Sequence, residues 1–342
     1  MAIVYFIGID VSKDTLDCSI LYKGEFLSHQ KIINRVSAIN EWYRELRSLY
    51  KINKGNALFC FEQIGTYDNF LLKILCTKKA NIWWESPLHI KRSLGLHRGK
   101  NDKVDSLRIA NCAYVHKDKF KPYSPPRKII EQLRQLSSLR SRLKKAIIKL
   151  KNGVRDGEHF FDEEKVALVD LLCIRSMVAL KQDFDATSDK ILELIDSVDR
   201  LKHLFKIIIS VPSVGNVLAT ELLIVTNEFL DITCPKKFAC LCGVVPFDHS
   251  SGTSIKQRTH VSKMANIKMK TLLHMCAIST TCHDSELREY YKRRVNEGYP
   301  KMSAINAIRN KLIHRVFACV RENRPYQVPE IYKRFEPAPY AV

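Results

Sequence analysis

Two short apolar runs early in the chain each stop on an acid: Ile3 to Ile9 before Asp10, and Ala57 to Phe61 before Glu62. Runs this short, rich in Ile, Val and Phe and bounded by polar residues, are buried strands; neither approaches the roughly 20 apolar residues that span a bilayer. The first lacks a basic leader, so it is read as a strand of a cytosolic protein and not as a signal peptide. An acid at the end of a buried strand lies at one edge of a sheet, where a site can be built.

The residues around these runs define an order of elements. Leu16 to Tyr22 and Glu25 to Ile33 are two further strands joined by a tight turn at Lys23-Gly24, which makes an antiparallel meander with the first. A helical pattern from Ala38 to Tyr50 follows, then the strand Ala57 to Phe61, a helix from Asp68 to Cys76 and a strand from Asn81 to Trp84. Three meander strands, then alternating strands and helices, is the order of a ribonuclease H-like domain. On such a sheet Asp10 and Glu62 are neighbours. Asp102 and Asp105 stand three apart at the start of the next predicted helix, so they share a face and can point at the same edge.

Four carboxylates in one pocket repel one another unless a cation offsets them. Mg2+ or Mn2+ suits such oxygen ligands, and a pair of ions about 4 Å apart assists displacement at phosphorus. The charge balance agrees with phosphate chemistry. There are 56 Lys and Arg against 36 Asp and Glu, a formal net charge of +20, which favours a polyanionic partner and nucleic acid first. Lys91, Arg92, Arg98, Lys100 and Lys103 surround the second acid pair and are candidate phosphate contacts. Trp83 and Trp84 are expected in the core. The 11 cysteines are scattered through apolar patterns, as reduced core thiols are.

Beyond Pro122, Pro125 and Pro126 the chain turns helical. From Arg127 to Leu150, Leu133, Leu136, Leu139, Leu143, Ile147 and Leu150 recur at helical spacing with Arg and Lys between them. After a polar stretch around Gly153 and Gly157, a second such pattern runs from Val166 to Leu201. The pair reads as a coiled-coil hairpin or arm, with two packed bundle helices fitting the same periodicity. Val211-Pro212-Ser213-Val214-Gly215, between helical patterns, has the form of a helix-hairpin-helix or of a plain helix-helix turn. Farther on, Ser250-Ser251-Gly252 in a predicted loop precedes Lys256, Arg258, His260 and Lys263. A hydroxyl beside glycine and followed by cations suits attack on phosphate. His249 and His260 are candidate proton carriers.

Taken together, Ile7-Gly8-Ile9-Asp10-Val11-Ser12-Lys13, Phe61-Glu62, Asn101-Asp102-Lys103-Val104-Asp105, Pro212 with Gly215, and Ser251-Gly252-Thr253-Ser254 with Ser262-Lys263 and Asn266 resemble the IS110-type insertion-sequence transposases over residues 3 to 325. Ala265 and Gln257 depart from that pattern, where glycine is usual. The resemblance implies three regions: an RNase H/RuvC-like α/β domain (1–120), a coiled-coil helical arm (127–205), and a mostly helical, serine-bearing domain (206–330). It implies that Asp10, Glu62, Asp102 and Asp105 are a metal-binding DEDD set and that Ser251 is the nucleophile, with Ser250 next in register. It also implies donor and target DNA as substrates, a structured guide RNA, a homo-oligomer (dimer or tetramer) in which acids of one subunit meet the serine of another, and a prokaryotic, nucleoid-associated setting. A RuvC-like nuclease in which water attacks, without a covalent link, is the alternative reading.

Overall fold

The structure is a computed structural model that describes residues 3–93, 101–157, 163–251, 255–262 and 264–328, with side-chain surroundings left out at 93, 153–170, 249–258 and 285. The chain divides into two compact units, 1–125 and 126–342.

The first unit is built on a mixed five-stranded sheet. Its strands are β1 (Tyr5–Val11), β2 (Thr15–Tyr22), β3 (Glu25–Ile33), β4 (Ala57–Glu62) and β5 (Asn81–Glu85), in the order β3-β2-β1-β4-β5. The first three pair antiparallel, and β4 and β5 run parallel to β1. Lys23 and Gly24 both have positive φ (51° and 98°), as a tight hairpin turn requires. Helices α1 (Val36–Tyr50) and α2 (Asn69–Thr77) cover one face; α3 (Pro87–Ser93) and α4 (Asp102–Val115) belong to the other. The period-two alternation of side chains sorts each strand between these faces. Ile7, Ile9, Leu16, Cys18, Phe59 and Phe61 pack with α1 and α2, while Phe6, Leu21, Leu58, Cys60 and Trp83 pack with α3 and α4. Trp83 is buried, and Trp84 packs edge-on to Tyr123.

Strand β1 runs two residues farther than the apolar run suggests. Asp10 therefore lies inside the ladder, opposite Asp17 of β2, and not beyond its end.

The second unit is mainly helical. Helices α5 (Lys128–Gly157) and α6 (Glu163–Asp196) pack along one another. Helices α7 (Asp199–Ile209), α8 (Asn216–Val225), α9 (Pro235–Leu241), α10 (Ile267–His283), α11 (Ser285–Asn296) and α12 (Lys301–Glu322) build a core around Leu218, Leu223, Phe238, Leu273, Ile308 and Phe317. Ile130 and Leu133 of α5 and Ile191 and Ile195 of α6 join that core. Buried Glu228 ties the region together through Arg127 (2.6 Å) and Arg200 (3.0 Å).

Helix α5 runs past the last apolar position, Leu150, and through Gly153 to Gly157. A glycine costs only about 1 kcal/mol in a helix, which neighbouring packing can override. One local expectation is overturned: the region expected to be a loop around Ser251 includes an antiparallel pair of strands, β6 (Pro246–Ser251) and β7 (Ile255–Val261). Alternation of β-favouring Phe247, Ile255, Thr259 and Val261 with polar residues was the signal for it.

Candidate active site

Asp10, Glu62, Asp102 and Asp105 come together at one edge of the first unit because of a missing side chain. Gly8 stands two residues before Asp10 on the α4 face of β1. A Cβ there would collide with the backbone of Ser106 and Ala110. With glycine, α4 lies directly on β1, pinned by a 2.8 Å hydrogen bond between the buried hydroxyls of Ser106 and Ser19, the residue paired with Gly8. The N-terminus of α4 then carries Asp102 and Asp105 to the end of the sheet where Asp10 and Glu62 emerge. Asn101 caps the helix, its Oδ1 accepting the Lys103 backbone N–H at 3.0 Å.

The electrostatics register this convergence. Burial, then Asp102, Asp105, Glu62 and Asp17, push the Asp10 carboxyl up to about 6. Glu62 is also raised, by burial and then by Asp105. Both shifts disfavour the ionised forms, and an entering cation would reverse them. Asp105 is engaged by Arg108 Nη1 at 2.7 Å, and Asp102 Oδ2 lies 3.8 Å from Lys31 Nζ. Among the described residues no three His, Cys, Asp or Glu side chains are gathered tightly enough to hold a metal ion as they stand. The donor set nevertheless fits a hard divalent cation: all-oxygen ligands, half-buried and mutually repelling.

A fifth acid escaped the sequence reading. Asp17 is buried on the same face, with His29 Nε2 at 3.1 Å and Lys31 Nζ at 3.2 Å. Its signal was positional. The short Ser12–Thr15 turn, closed by Ser12 N–H donating to the Thr15 carbonyl, sets a register that puts Asp17 opposite Asp10. Glu85 ends the same row as the β5 partner of Glu62. It accepts from Trp83 Nε1 (3.0 Å) and the Ser86 N–H (2.7 Å), and pairs with His89 (3.0 Å).

Of the predicted basic residues, Lys91 and Arg92 are exposed in the last turn of α3, and Lys103 is exposed in the first turn of α4. Arg98, Lys100 and Lys263 lie outside the described residues. In the second unit, Ser251 is the last residue of β6 and pairs with Ile255, while Ser250 pairs with Lys256 and His249 with Gln257; Arg258 follows on β7. Gly252, Thr253 and Ser254 also lie outside the described residues. Between α7 and α8, Ser213 adopts φ 66° and Gly215 caps α8.

Two stretches of the chain match known protein families. Residues 7–156 match a transposase family model, the IS110 DEDD domain, and residues 205–292 match the Transposase IS116/IS110/IS902 family. Over 329 residues the chain is 24% identical to the pilin gene-inverting protein of Moraxella bovis, covering 94% of this chain and 97% of that one. Identity to its Moraxella lacunata counterpart is 23% over the same coverage. An insertion element IS116 protein of Streptomyces clavuligerus is 21% identical over 389 positions, covering 93% of this chain and 95% of the relative. The first match contains Asp10, Glu62, Asp102 and Asp105 and the second contains Ser251, and together they cover most of the chain, so the chain belongs to the IS110 family of transposases, enzymes of DNA recombination.

Proposed function

We propose that this transposase cleaves and rejoins DNA through a phosphoserine link, with Ser251 as nucleophile and Asp10, Glu62, Asp102 and Asp105 as ligands of Mg2+ or Mn2+. The single observation that carries the reading is Asp10, a half-buried carboxyl pushed up to about 6 by burial and by the other three acids of the set. Such a cluster is an expensive arrangement without a cation. The strand order β3-β2-β1-β4-β5, with the first three antiparallel, supports an RNase H/RuvC-like fold for this unit. The turn between α7 and α8 supports a helix-hairpin-helix that meets backbone phosphates.

A bound divalent ion would offset charge on the scissile phosphate and on the displaced oxygen. The chain supplies the remaining chemistry. Ser251 Oγ forms the bond to phosphorus as the bond to the 3' oxygen breaks, and the serine proton ends on the freed 3' hydroxyl. Attack by that hydroxyl, or by one from a second strand, regenerates the serine and rejoins the DNA. Lys91, Arg92, Arg98, Lys100, Lys103, Lys256, Arg258 and Lys263 are the proposed phosphate contacts. The net charge of +20 supports a second polyanion, a structured guide RNA that pairs with donor and target DNA. Apolar residues left exposed on α6, Leu171, Leu172, Ile174 and Val178, support a homo-oligomer built through the arm. No helix among the described residues is long and apolar enough to cross a membrane.

The test is denaturing capture of protein-DNA adducts with Mg2+ present. Adducts are expected from the wild type and absent from Ser251→Ala and Asp10→Ala. An adduct that persists in Ser251→Ala shifts the nucleophile elsewhere, with Ser250→Ala the next variant. Metal-dependent cutting without any adduct selects the nuclease reading, in which water attacks.

A further inference from the structure

A second polar site lies within the second unit, on helices that carry neither the four acids nor the serine. A cleft of about 280 Å³ is bounded by one stripe of α5 (Arg134, Ser138, Ser141, Arg142, Lys145), by Glu221 of α8 and by Lys268 of α10. The stripe follows helical spacing, so its side chains stand on one face. The floor is a built polar network. Glu221 is 3% exposed, and its Oε1 accepts from Lys268 Nζ at 2.6 Å and from the hydroxyl of buried Ser137, which Lys268 also reaches at 2.9 Å. Lys268 offsets the Glu221 charge. The cleft is then left with three uncompensated cations, because Arg134, Arg142 and Lys145 are exposed and form no ion pair or hydrogen bond among the described residues. The hydroxyls of Ser138 and Ser141 are likewise without partners there.

Three unpaired cations beside two small hydroxyl donors, in a space that admits one phosphate and part of its sugar, make a phosphodiester cradle. Arginine supplies a planar fork, lysine a point charge, and serine a short donor that keeps the cleft open. We infer that this cleft between α5, α8 and α10 binds the sugar-phosphate backbone of a nucleic acid strand, anchoring the base of the arm to it. The inference rests on the nucleic-acid part of the proposed function and adds a specific site to it. Duplex DNA and structured RNA share the ligand chemistry, and separate arms of the experiment distinguish them.

The test measures equilibrium binding of the full chain to a fluorescent DNA duplex and to a fluorescent RNA hairpin, by anisotropy across a range of salt concentrations. Arg142→Gln with Lys145→Gln is expected to weaken binding several-fold and to flatten the salt dependence by roughly 2 in log-log slope, about 0.9 per lost contact on duplex. Ser138→Leu with Ser141→Leu keeps every charge and fills the cleft; a comparable loss is expected only if the strand enters it. Loss on one probe alone identifies that nucleic acid as the occupant. A filled variant that binds both probes like the wild type, with an unchanged melting temperature, overturns the site and leaves a basic surface in its place. Wild type that binds neither probe would instead overturn the nucleic-acid reading itself.

Discussion

Asp10 and Asp17 face each other across the β1-β2 ladder, yet among the described residues only Asp17 pairs with basic side chains, Lys31 at 3.2 Å and His29 at 3.1 Å. Asp10 instead meets more acids, which push it up to about 6. One acid of the pair is thus satisfied by the protein, and the other carries the repulsion of its acidic neighbours.

The pH dependence of stability follows from that difference. An unperturbed Asp titrates near about 3.9. Between that value and about 6 the folded, metal-free protein holds a proton on Asp10 that the unfolded chain has released, so its stability falls as pH rises through this window. Asp10→Asn removes the penalty. In EDTA the variant is expected to exceed wild type in urea unfolding at pH 7, with the gap closing toward pH 4. Added Mn2+ should raise the melting temperature of wild type alone. A variant less stable than wild type at pH 7 would contradict the charge-repulsion account.

Gly8→Ala tests what brings the acids together. The added methyl meets helix backbone on both sides, where relief requires α4 to lift from β1. A cost of about 3 kcal/mol is expected, at the upper end of overpacking penalties, together with weaker Mn2+ binding in whatever folds. Calorimetric titration and urea unfolding measure the two effects; a neutral substitution would mean that α4 does not press on the strand.

Lys31→Met leaves Asp17 buried with only His29 beside it. The melting temperature is expected to fall, because a buried carboxylate loses its lysine partner. Lys31→Arg should recover most of the loss. An unchanged melting temperature would show that Lys31 does not hold Asp17 in place.

For the arm, Leu171→Glu with Ile174→Glu places charges on two residues that are 68% and 55% exposed. If copies of the chain meet there, light scattering should find wild type as an oligomer and the variant as a smaller species with the same helical content. Identical masses would remove the arm from the interface.

Much of the first unit is legible in the order of its residues. Apolar runs of strand length, the Lys23-Gly24 turn and the spacing of Asp102 and Asp105 are local signals, and the observed strands and helices follow them to within a few residues. Asp10 and Glu62 stand out because each interrupts an apolar run. Asp17 did not, since a single acid in an alternating strand looks like an ordinary solvent-facing residue until the register puts it opposite Asp10.

The sequence by itself determined which elements form and which acids stand at strand and helix ends, because period-two and helical patterns depend on residues a few positions apart. Tertiary structure alone decided that Gly8 lets α4 lie on the sheet, that Lys31 serves Asp17, and that Lys268 neutralises Glu221 beneath the cationic cleft. These pairings join residues remote in the chain, and their energies come from contact distance and burial, neither of which local periodicity encodes.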